Sequence, residues 1–147
     1  MKVKCKRIVG GIVKGKILFS EQPLNFLAML NVKTGQVNDI NHKLNNQTLK
    51  NNILVFPNAV GSSVGAYTIF SLKNNNTAPN GIICTNSVDI TTASGCAISN
   101  IPLVYVDKND LEELMRYYYD GNNKNSNNEI ILDAENGFII LDNDKSI

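Results

Sequence analysis

The residues best placed to do chemistry are two adjacent serines, Ser62 and Ser63, in the segment LVFPNAVGSSVGAYTIF (residues 54–70). They follow an apolar run and lie between Gly61 and Gly65. Backbone N–H groups that converge in such a turn can stabilise an anion, whether a substrate carboxylate, a phosphate or a serine alkoxide. A serine that only caps a helix start explains the same residues equally well. The residue types alone therefore leave the function of this turn open.

Other candidate residues have simpler interpretations. The segment GGIVKGKI (residues 10–17) is close to a phosphate-binding P-loop, but Ile17 replaces the required serine or threonine, and strand-like residues follow it. We interpret this segment as strand, bend and strand. His42 is the only histidine and lies in a polar loop, so we interpret it as exposed rather than as a catalytic base. Three isolated carboxylates are interpreted as caps and turn formers: Asp39, Asp89 and Asp107.

The composition excludes several classes of protein. The 147 residues are 43% hydrophobic and 18% charged with a net charge of +1, which gives no electrostatic signature of nucleic-acid or membrane-surface binding. No apolar run approaches the roughly 20 residues of a spanning helix, and no signal-peptide pattern precedes the domain, so a cytoplasmic location is expected. The widely spaced cysteines predict buried free thiols and no metal bound by this chain: Cys5, Cys84 and Cys96.

The elements that must position the serine turn are short strands and a few helices. The run NILVFP (residues 52–57) predicts a strand buried on both faces, and GAYTIFSL (residues 65–72) favours a short helix capped by one of the serines. The periodicity of residues 107–121 predicts an amphipathic helix with Asn109 in the cap position. Residues 129–142 predict a hairpin.

Three further segments complete the mixed α/β or α+β pattern. Residues 27–32 predict an apolar strand, and CAIS (residues 96–99) predicts another. Directly before CAIS, the segment SVDITTASG (residues 87–95) indicates a turn or a short helix that is closed by Gly95.

The order of these motifs resembles one family. A glycine-bearing strand is followed by Ser-x-x-Pro-Leu-x-Phe (residues 20–26), then by a Thr-Gly turn, a His-x-Leu, a strand and the Gly-Ser-Ser turn, which soon reaches a tyrosine. The series ends in APNGIICTNSVDITTASGCAISNIPLV (residues 78–104). This order, over about residues 7–106, is similar to that of the aconitase X small subunit.

That resemblance implies a fold and a site. The family's small subunit is similar to the swivelling domain of aconitase, which implies an α/β fold of β/β/α layers. Mixed parallel and antiparallel sheets and about two to three helices would form a single domain over residues 1–147. In aconitase-like enzymes this domain closes over a larger one that carries an iron–sulfur cluster. The matching serine, Ser62, is then the catalytic base, with Gly61 and Ser63 as substrate-binding residues.

The resemblance also implies an activity and a partner. Its archaeal members are hydro-lyases that dehydrate (R)-mevalonate 5-phosphate to trans-anhydromevalonate 5-phosphate in an isoprenoid route. A large subunit would complete a heterodimer and carry the cluster, expected as [4Fe-4S], with none bound by this chain. Val64 stands where aconitase has a carboxylate-binding arginine, which disfavours citrate-like substrates. Dehydration of another hydroxy acid such as a hydroxyproline, or a swivelling module that binds without catalysis, are the alternatives.

Overall fold

A computed structural model of the chain describes residues 1–123 and 128–141. Its strands in chain order are β1 (Lys2–Lys4), β2 (Lys6–Val9), β3 (Ile12–Phe19), β4 (Leu30–Asn31), β5 (Gln36–Val37), β6 (Ile53–Phe56), β7 (Gly81–Cys84), β8 (Leu103–Tyr105), β9 (Glu129–Asp133) and β10 (Phe138–Ile140). Its helices are α1 (Phe26–Met29), α2 (Gly65–Asn74), α3 (Ile90–Ser99) and α4 (Lys108–Asn123). Among the described residues, no helix is both long enough and apolar enough to cross a bilayer.

Most of the described strands form one mixed sheet in the order β1-β10-β9-β3-β6-β7-β8-β2, and β4 and β5 form a separate hairpin. The central neighbours β3, β6, β7 and β8 are parallel. Strand β2 is antiparallel to β8, and β9, β10 and β1 continue the other side in antiparallel pairs. The carboxyl ends of β6 and β7 therefore lie at one edge of the sheet, where loops of α/β folds carry binding groups.

Strand β6 leads directly into the serine turn. All of its residues are buried, as the apolar run predicted. Alternate side chains enter two cores on opposite faces of the sheet: Leu54 and Phe56 pack on the side of α1, α2 and α3, whereas Ile53 and Val55 pack with α4 and the antiparallel strands. Burial on both faces fixes where the strand ends, and so fixes the origin of the turn.

The mixed α/β fold is confirmed, with four helices among the described residues instead of two to three. The strand predicted over residues 27–32 is wrong, because Asn25 caps α1 there. The Asn25 Oδ1 accepts a hydrogen bond of 3.0 Å from Ala28 N–H, and only β4 remains extended. A local side-chain cap has overridden the apolar pattern of the segment.

The strand predicted over residues 96–99 is also wrong, as is the helix end at Gly95. Helix α3 runs through both and ends at Asn100, which adopts the left-handed conformation. Gly95 and Cys96 are buried, and Gly95 lies against Ile69 of α2. Packing of one helix on another has therefore decided the structure of a segment whose own propensities are weak. The hairpin predicted at the carboxyl-terminal end is confirmed as β9 and β10.

The contact between α2 and α3 depends on Gly95, and this predicts the sign of a substitution. A β-carbon there would lie 2.7 Å from Ile69 Cδ1, 3.0 Å from Ile69 Cβ and 3.3 Å from the Ala66 Cα. Gly95→Ala should therefore lower the free energy of unfolding by about 1–3 kcal/mol, although helix propensity alone would raise it by about 1 kcal/mol. Urea unfolding followed by circular dichroism measures the change.

The control for that measurement is Ala97→Gly at an exposed position of the same helix, which should cost about 1 kcal/mol through propensity alone. An increase in the stability of Gly95→Ala would contradict the packing account.

Candidate active site

The serine turn lies in an exposed connection between β6 and α2. Its backbone is held by two short-range hydrogen bonds, from Gly65 N–H to Ser62 O (3.0 Å) and from Ala66 N–H to Ser63 O (3.1 Å). Both serines are exposed. Gly61 has a φ of +93°, in the left-handed region that an L-residue with a side chain rarely adopts. The turn therefore presents its serines to solvent on a constrained backbone.

Three consecutive backbone N–H groups at this turn have no acceptor among the described residues: those of Gly61, Ser62 and Ser63. They precede α2, whose cap residue Val64 makes no side-chain cap bond. The predicted helix is confirmed, but neither serine is its cap. Instead, the Ser62 Oγ accepts a hydrogen bond of 3.1 Å from Val64 N–H. Free amides, a helix N-terminus and a hydroxyl together make a cradle that suits an anion.

Asp89 fixes the turn to α3. Its Oδ2 accepts from Thr92 N–H (2.8 Å), and its Oδ1 accepts from Thr92 Oγ1 (3.0 Å), so it caps the helix. The same Oδ1 accepts from Ala59 N–H (2.8 Å), two residues before Gly61. The interpretation of Asp89 as a cap is confirmed, and the structure adds its bond to the serine loop. The carboxylate is engaged by three donors, so its role is to position the backbone.

A second contact holds the turn from the side of α1. Leu24 forms a parallel bridge with Ala59, and the Leu24 carbonyl accepts from Val60 N–H at 2.9 Å. The next residue, Asn25, lies so close to Gly61 that a β-carbon on the glycine would collide with the Asn25 Nδ2. Asn25 is not among the site residues that the sequence predicts. An asparagine three residues before Ala28 is the pattern of a helix cap, but the contact with Gly61 leaves no local signal in the sequence.

The prediction that His42 is exposed is wrong, because only 7% of its surface is accessible. Its Nδ1 accepts from Leu44 N–H at 3.0 Å, so its Nε2 carries the proton and donates to the Pro23 carbonyl at 3.0 Å. The Nδ1 bond closes the 39–45 loop on itself, and the Nε2 bond joins this loop to Pro23, the residue before Leu24. His42 therefore positions the backbone of this loop.

The other sequence candidates are structural. Residues 10–17 form a bend at Gly11, where φ is +131°, followed by strand β3. A P-loop would be followed by a helix, so this segment is not a P-loop. Asp39 Oδ1 accepts from Asn41 N–H at 2.9 Å within its turn. Asp107 Oδ1 accepts from Asp110 N–H at 3.0 Å and caps α4, so the cap predicted at Asn109 is two residues too late.

The cysteines are free thiols in environments that disfavour the thiolate. Burial, with Asp133 and Asp110 nearby, raises the pKa of Cys5 to about 12. Burial and Asp89 raise the pKa of Cys84 to about 12, and burial raises that of Cys96 further. Metal-binding cysteines are thiolates. Within residues 1–123 and 128–141, no three His, Cys, Asp or Glu side chains form a group that could hold a metal ion. These residues do not fit an iron–sulfur cluster.

Exposed apolar side chains lie at the helix junction beside the serine turn. A β-carbon on Gly65 would meet Phe26 Cβ, Leu27 N and Thr91 Cγ2, so the start of α2 lies against α1 and the start of α3. Four side chains beside this junction are exposed by 47–75%, and we call them the apolar rim: Leu27, Val64, Tyr67 and Ile90. Such a patch around a polar turn is typical of a surface that another protein covers.

The comparisons with known proteins agree with this architecture. The model of the aconitase X swivel domain family matches residues 2–130. A protein of Thermococcus kodakarensis named phosphomevalonate dehydratase small subunit is 39% identical over 136 residues, which cover 92% of this chain and 100% of that protein. A protein of the same name from Methanothermobacter thermautotrophicus is 35% identical over 95% of this chain and 98% of its own length.

Solved structures give the same result. The crystal structure of Thermococcus kodakaraensis aconitase X in its holo-form is similar with a TM-score of 0.80 and 34% identity, covering 96% of this chain and 98% of that one. A UPF0107 protein solved by NMR has a TM-score of 0.79 and 28% identity over the same shares.

Because Asp89 accepts three hydrogen bonds, its removal should destabilise the fold more than the loss of an ordinary helix cap. Asp89→Ala should lower the free energy of unfolding by about 2–3 kcal/mol, because it removes the cap of α3 and leaves Ala59 N–H without its acceptor. Asp107→Ala is the matched control, since it removes only a cap bond and should cost about 1 kcal/mol. Denaturant unfolding measures both, and equal losses in the two variants would contradict the anchoring role of Asp89.

Proposed function

This chain belongs to the aconitase X swivel domain family, and we propose that it is the small subunit of a hydro-lyase that dehydrates (R)-mevalonate 5-phosphate. The product is trans-anhydromevalonate 5-phosphate, and the reaction serves an archaeal isoprenoid route in the cytoplasm. The names of relatives that are 35–42% identical support the reaction class. In this proposal residues 1–147 act as a single swivelling domain.

One observation of this chain carries the proposal. Ser62 is exposed in a turn whose Gly61, Ser62 and Ser63 N–H groups have no acceptor among the described residues, and Asp89 holds this turn to α3. Dehydration begins with removal of a proton from the carbon next to a carboxylate. This step needs a base at the surface and donors for the negative charge that develops, and the turn supplies both.

Ser62 takes that proton in the proposed mechanism. A hydroxyl is a weak base, so its alkoxide must be stabilised. Within the described residues, the Ser62 Oγ receives one hydrogen bond, from Val64 N–H, and the amides of α2 add the positive end of a helix dipole. We assign the remaining stabilisation to a cation of the large subunit. Ser63, with Gly61, binds the substrate through the free amides.

The large subunit must supply the rest of the active site. The described cysteines are protonated and do not fit an iron–sulfur cluster, so we place the [4Fe-4S] cluster on that subunit. The steps assigned to this chain do not involve it. Asp89 is occupied by its three hydrogen bonds, so we also assign expulsion of the hydroxyl to groups of the large subunit.

The apolar rim is where we place the partner. Ile90, exposed by 75%, and Val64, exposed by 47%, lie beside the serine turn with Leu27 and Tyr67. A large subunit that covers the rim would also exclude water from the Ser62 hydroxyl, and hydrogen bonds to an alkoxide are stronger in a drier site. Val64 then contributes to assembly at the position where aconitase uses an arginine for its substrate.

Removing the hydroxyl of Ser62 tests the base directly. Ser62→Ala in the two-subunit enzyme should lower kcat by about 10³-fold, because proton transfer loses its acceptor. Assembly should remain, since this hydroxyl makes one short-range hydrogen bond. The measurement is an anaerobic assay with mevalonate 5-phosphate, beside gel filtration of the complex. Ser71→Ala, on α2 beyond the turn, is the control and should be fully active. Full activity in Ser62→Ala would overturn the assignment.

A charge on the apolar rim tests the position of the partner. Ile90→Glu should weaken binding of the large subunit by at least about tenfold, because it buries a carboxylate in an apolar contact. An acidic residue in the first turn of α3 suits the helix dipole, so the isolated subunit should stay folded. Titration calorimetry measures the affinity.

The control is Ile98→Glu, the same change at an exposed position near the other end of α3. It should leave the affinity unchanged. An equal effect in both variants, or none in Ile90→Glu, would remove the rim from the interface.

A further inference from the structure

Asn25 presents a free amide group at the serine turn. Its Oδ1 is committed to Ala28 N–H at 3.0 Å, which caps α1. That bond decides the orientation of the side-chain amide and directs the Nδ2 group elsewhere. The Nδ2 lies against Gly61 and has no acceptor among the described residues. Two N–H donors are therefore held beside the amide cradle without a partner in this chain.

The position of Asn25 is fixed at the preceding residue and at its own backbone. The Asn25 carbonyl accepts from Met29 N–H at 2.9 Å. The preceding residue, Leu24, is paired with Ala59 and bonded to Val60, two strand-like contacts that lead into Gly61. The side chain has little freedom to turn away from the glycine. A donor held in this way is preorganised and loses little entropy when it binds a ligand.

The chemistry of the proposed reaction places a carboxylate at this donor. The proton that Ser62 removes is on the carbon adjacent to the substrate carboxylate, so that carboxylate lies one bond from the carbon under attack. The substrate phosphate is several bonds further along the chain. Negative charge accumulates on the carboxylate as the proton leaves, and donors aimed at it then act on the transition state.

We infer that Asn25 is a further substrate-binding residue, whose Nδ2 donates a hydrogen bond to the substrate carboxylate beside the amides of Gly61 and Ser62. This inference rests on the proposed function. It also accounts for Val64 at the position where aconitase has an arginine. Neutral donors on this chain would bind the substrate carboxylate that the arginine binds in aconitase. In this inference the carboxylate lies on the side of the turn where Asn25 is in contact with Gly61.

Two substitutions separate this role from the capping role. Asn25→Asp is isosteric and caps a helix as well as asparagine does, but it replaces the donors with a negative oxygen. Asn25→Ser also keeps a capping oxygen and removes the amide. In the two-subunit enzyme, kcat/KM for mevalonate 5-phosphate should fall by about 10²-fold or more in Asn25→Asp and by about tenfold in Asn25→Ser. Titration with trans-anhydromevalonate 5-phosphate should show weaker binding in both.

Asn31→Asp is the matched control, because the Asn31 Oδ1 likewise accepts from backbone N–H groups, those of Lys33 and Thr34, in an exposed turn. It should leave kcat/KM and product affinity unchanged. Thermal unfolding and gel filtration of each complex show whether the cap and the assembly persist.

The results for the Asn25 and Ser62 variants distinguish failure of the Asn25 inference from failure of the proposed function. Activity within twofold of wild type in Asn25→Asp overturns the inference. A loss of activity that runs in step with a loss of folding or assembly in both Asn25 variants also overturns it, since that is the behaviour of a cap alone. A fully active Ser62→Ala complex overturns the proposed function itself, whereas an inactive Ser62→Ala beside an active Asn25→Asp removes only the role of Asn25.

Discussion

The hydrogen bond from Ala59 N–H to the Asp89 carboxylate connects the chemistry of this chain to its fold. Asp89 is the cap of α3, and α3 is packed on α2 through Gly95. Ala59 follows β6, which is buried on both faces. The loop that leads to Ser62 is therefore fixed to the sheet at one side and to a helix at the other. An exposed serine on such a support keeps its position without the help of buried contacts of its own.

In the proposed function, the turn is one half of an active site. It offers an exposed hydroxyl, three free amides and the Asn25 amide, all of them neutral, and it is bordered by the apolar rim. The part of the chain that the structure describes holds no group of side chains that could bind a metal ion. In the proposed enzyme, a neutral donor set with an apolar border can pack against the large subunit without burying an unpaired charge of its own.

The sequence predicted the parts that local patterns determine. The doubly buried strand before the turn, the amphipathic α4 and the carboxyl-terminal hairpin each have a periodicity or a turn signal of their own. It failed where a tertiary contact decides. Residues 96–99 are helical because Gly95 fits against Ile69, and His42 is buried because two backbone groups converge on its ring. Neither contact leaves a signal within a few residues along the chain.

The same limit applies to the candidate site. Gly61, Ser62 and Ser63 are adjacent, so their types and order were enough to single out the turn. Asn25 is far from them in sequence and comes beside Gly61 only through the pairing of Leu24 with Ala59. Donors that come from two distant segments can be recognised as one set only when the three-dimensional structure is known.

Deuterium exchange on the substrate isolates the proton removal that is assigned to Ser62. The two-subunit enzyme is incubated with mevalonate 5-phosphate in D₂O until dehydration and rehydration reach equilibrium, and NMR follows deuterium at the carbon next to the carboxylate. The account predicts steady incorporation by the wild-type enzyme and a rate about 10³-fold lower with the assembled Ser62→Ala complex. Incorporation at the wild-type rate in that complex would show that another group takes the proton, and would contradict the account.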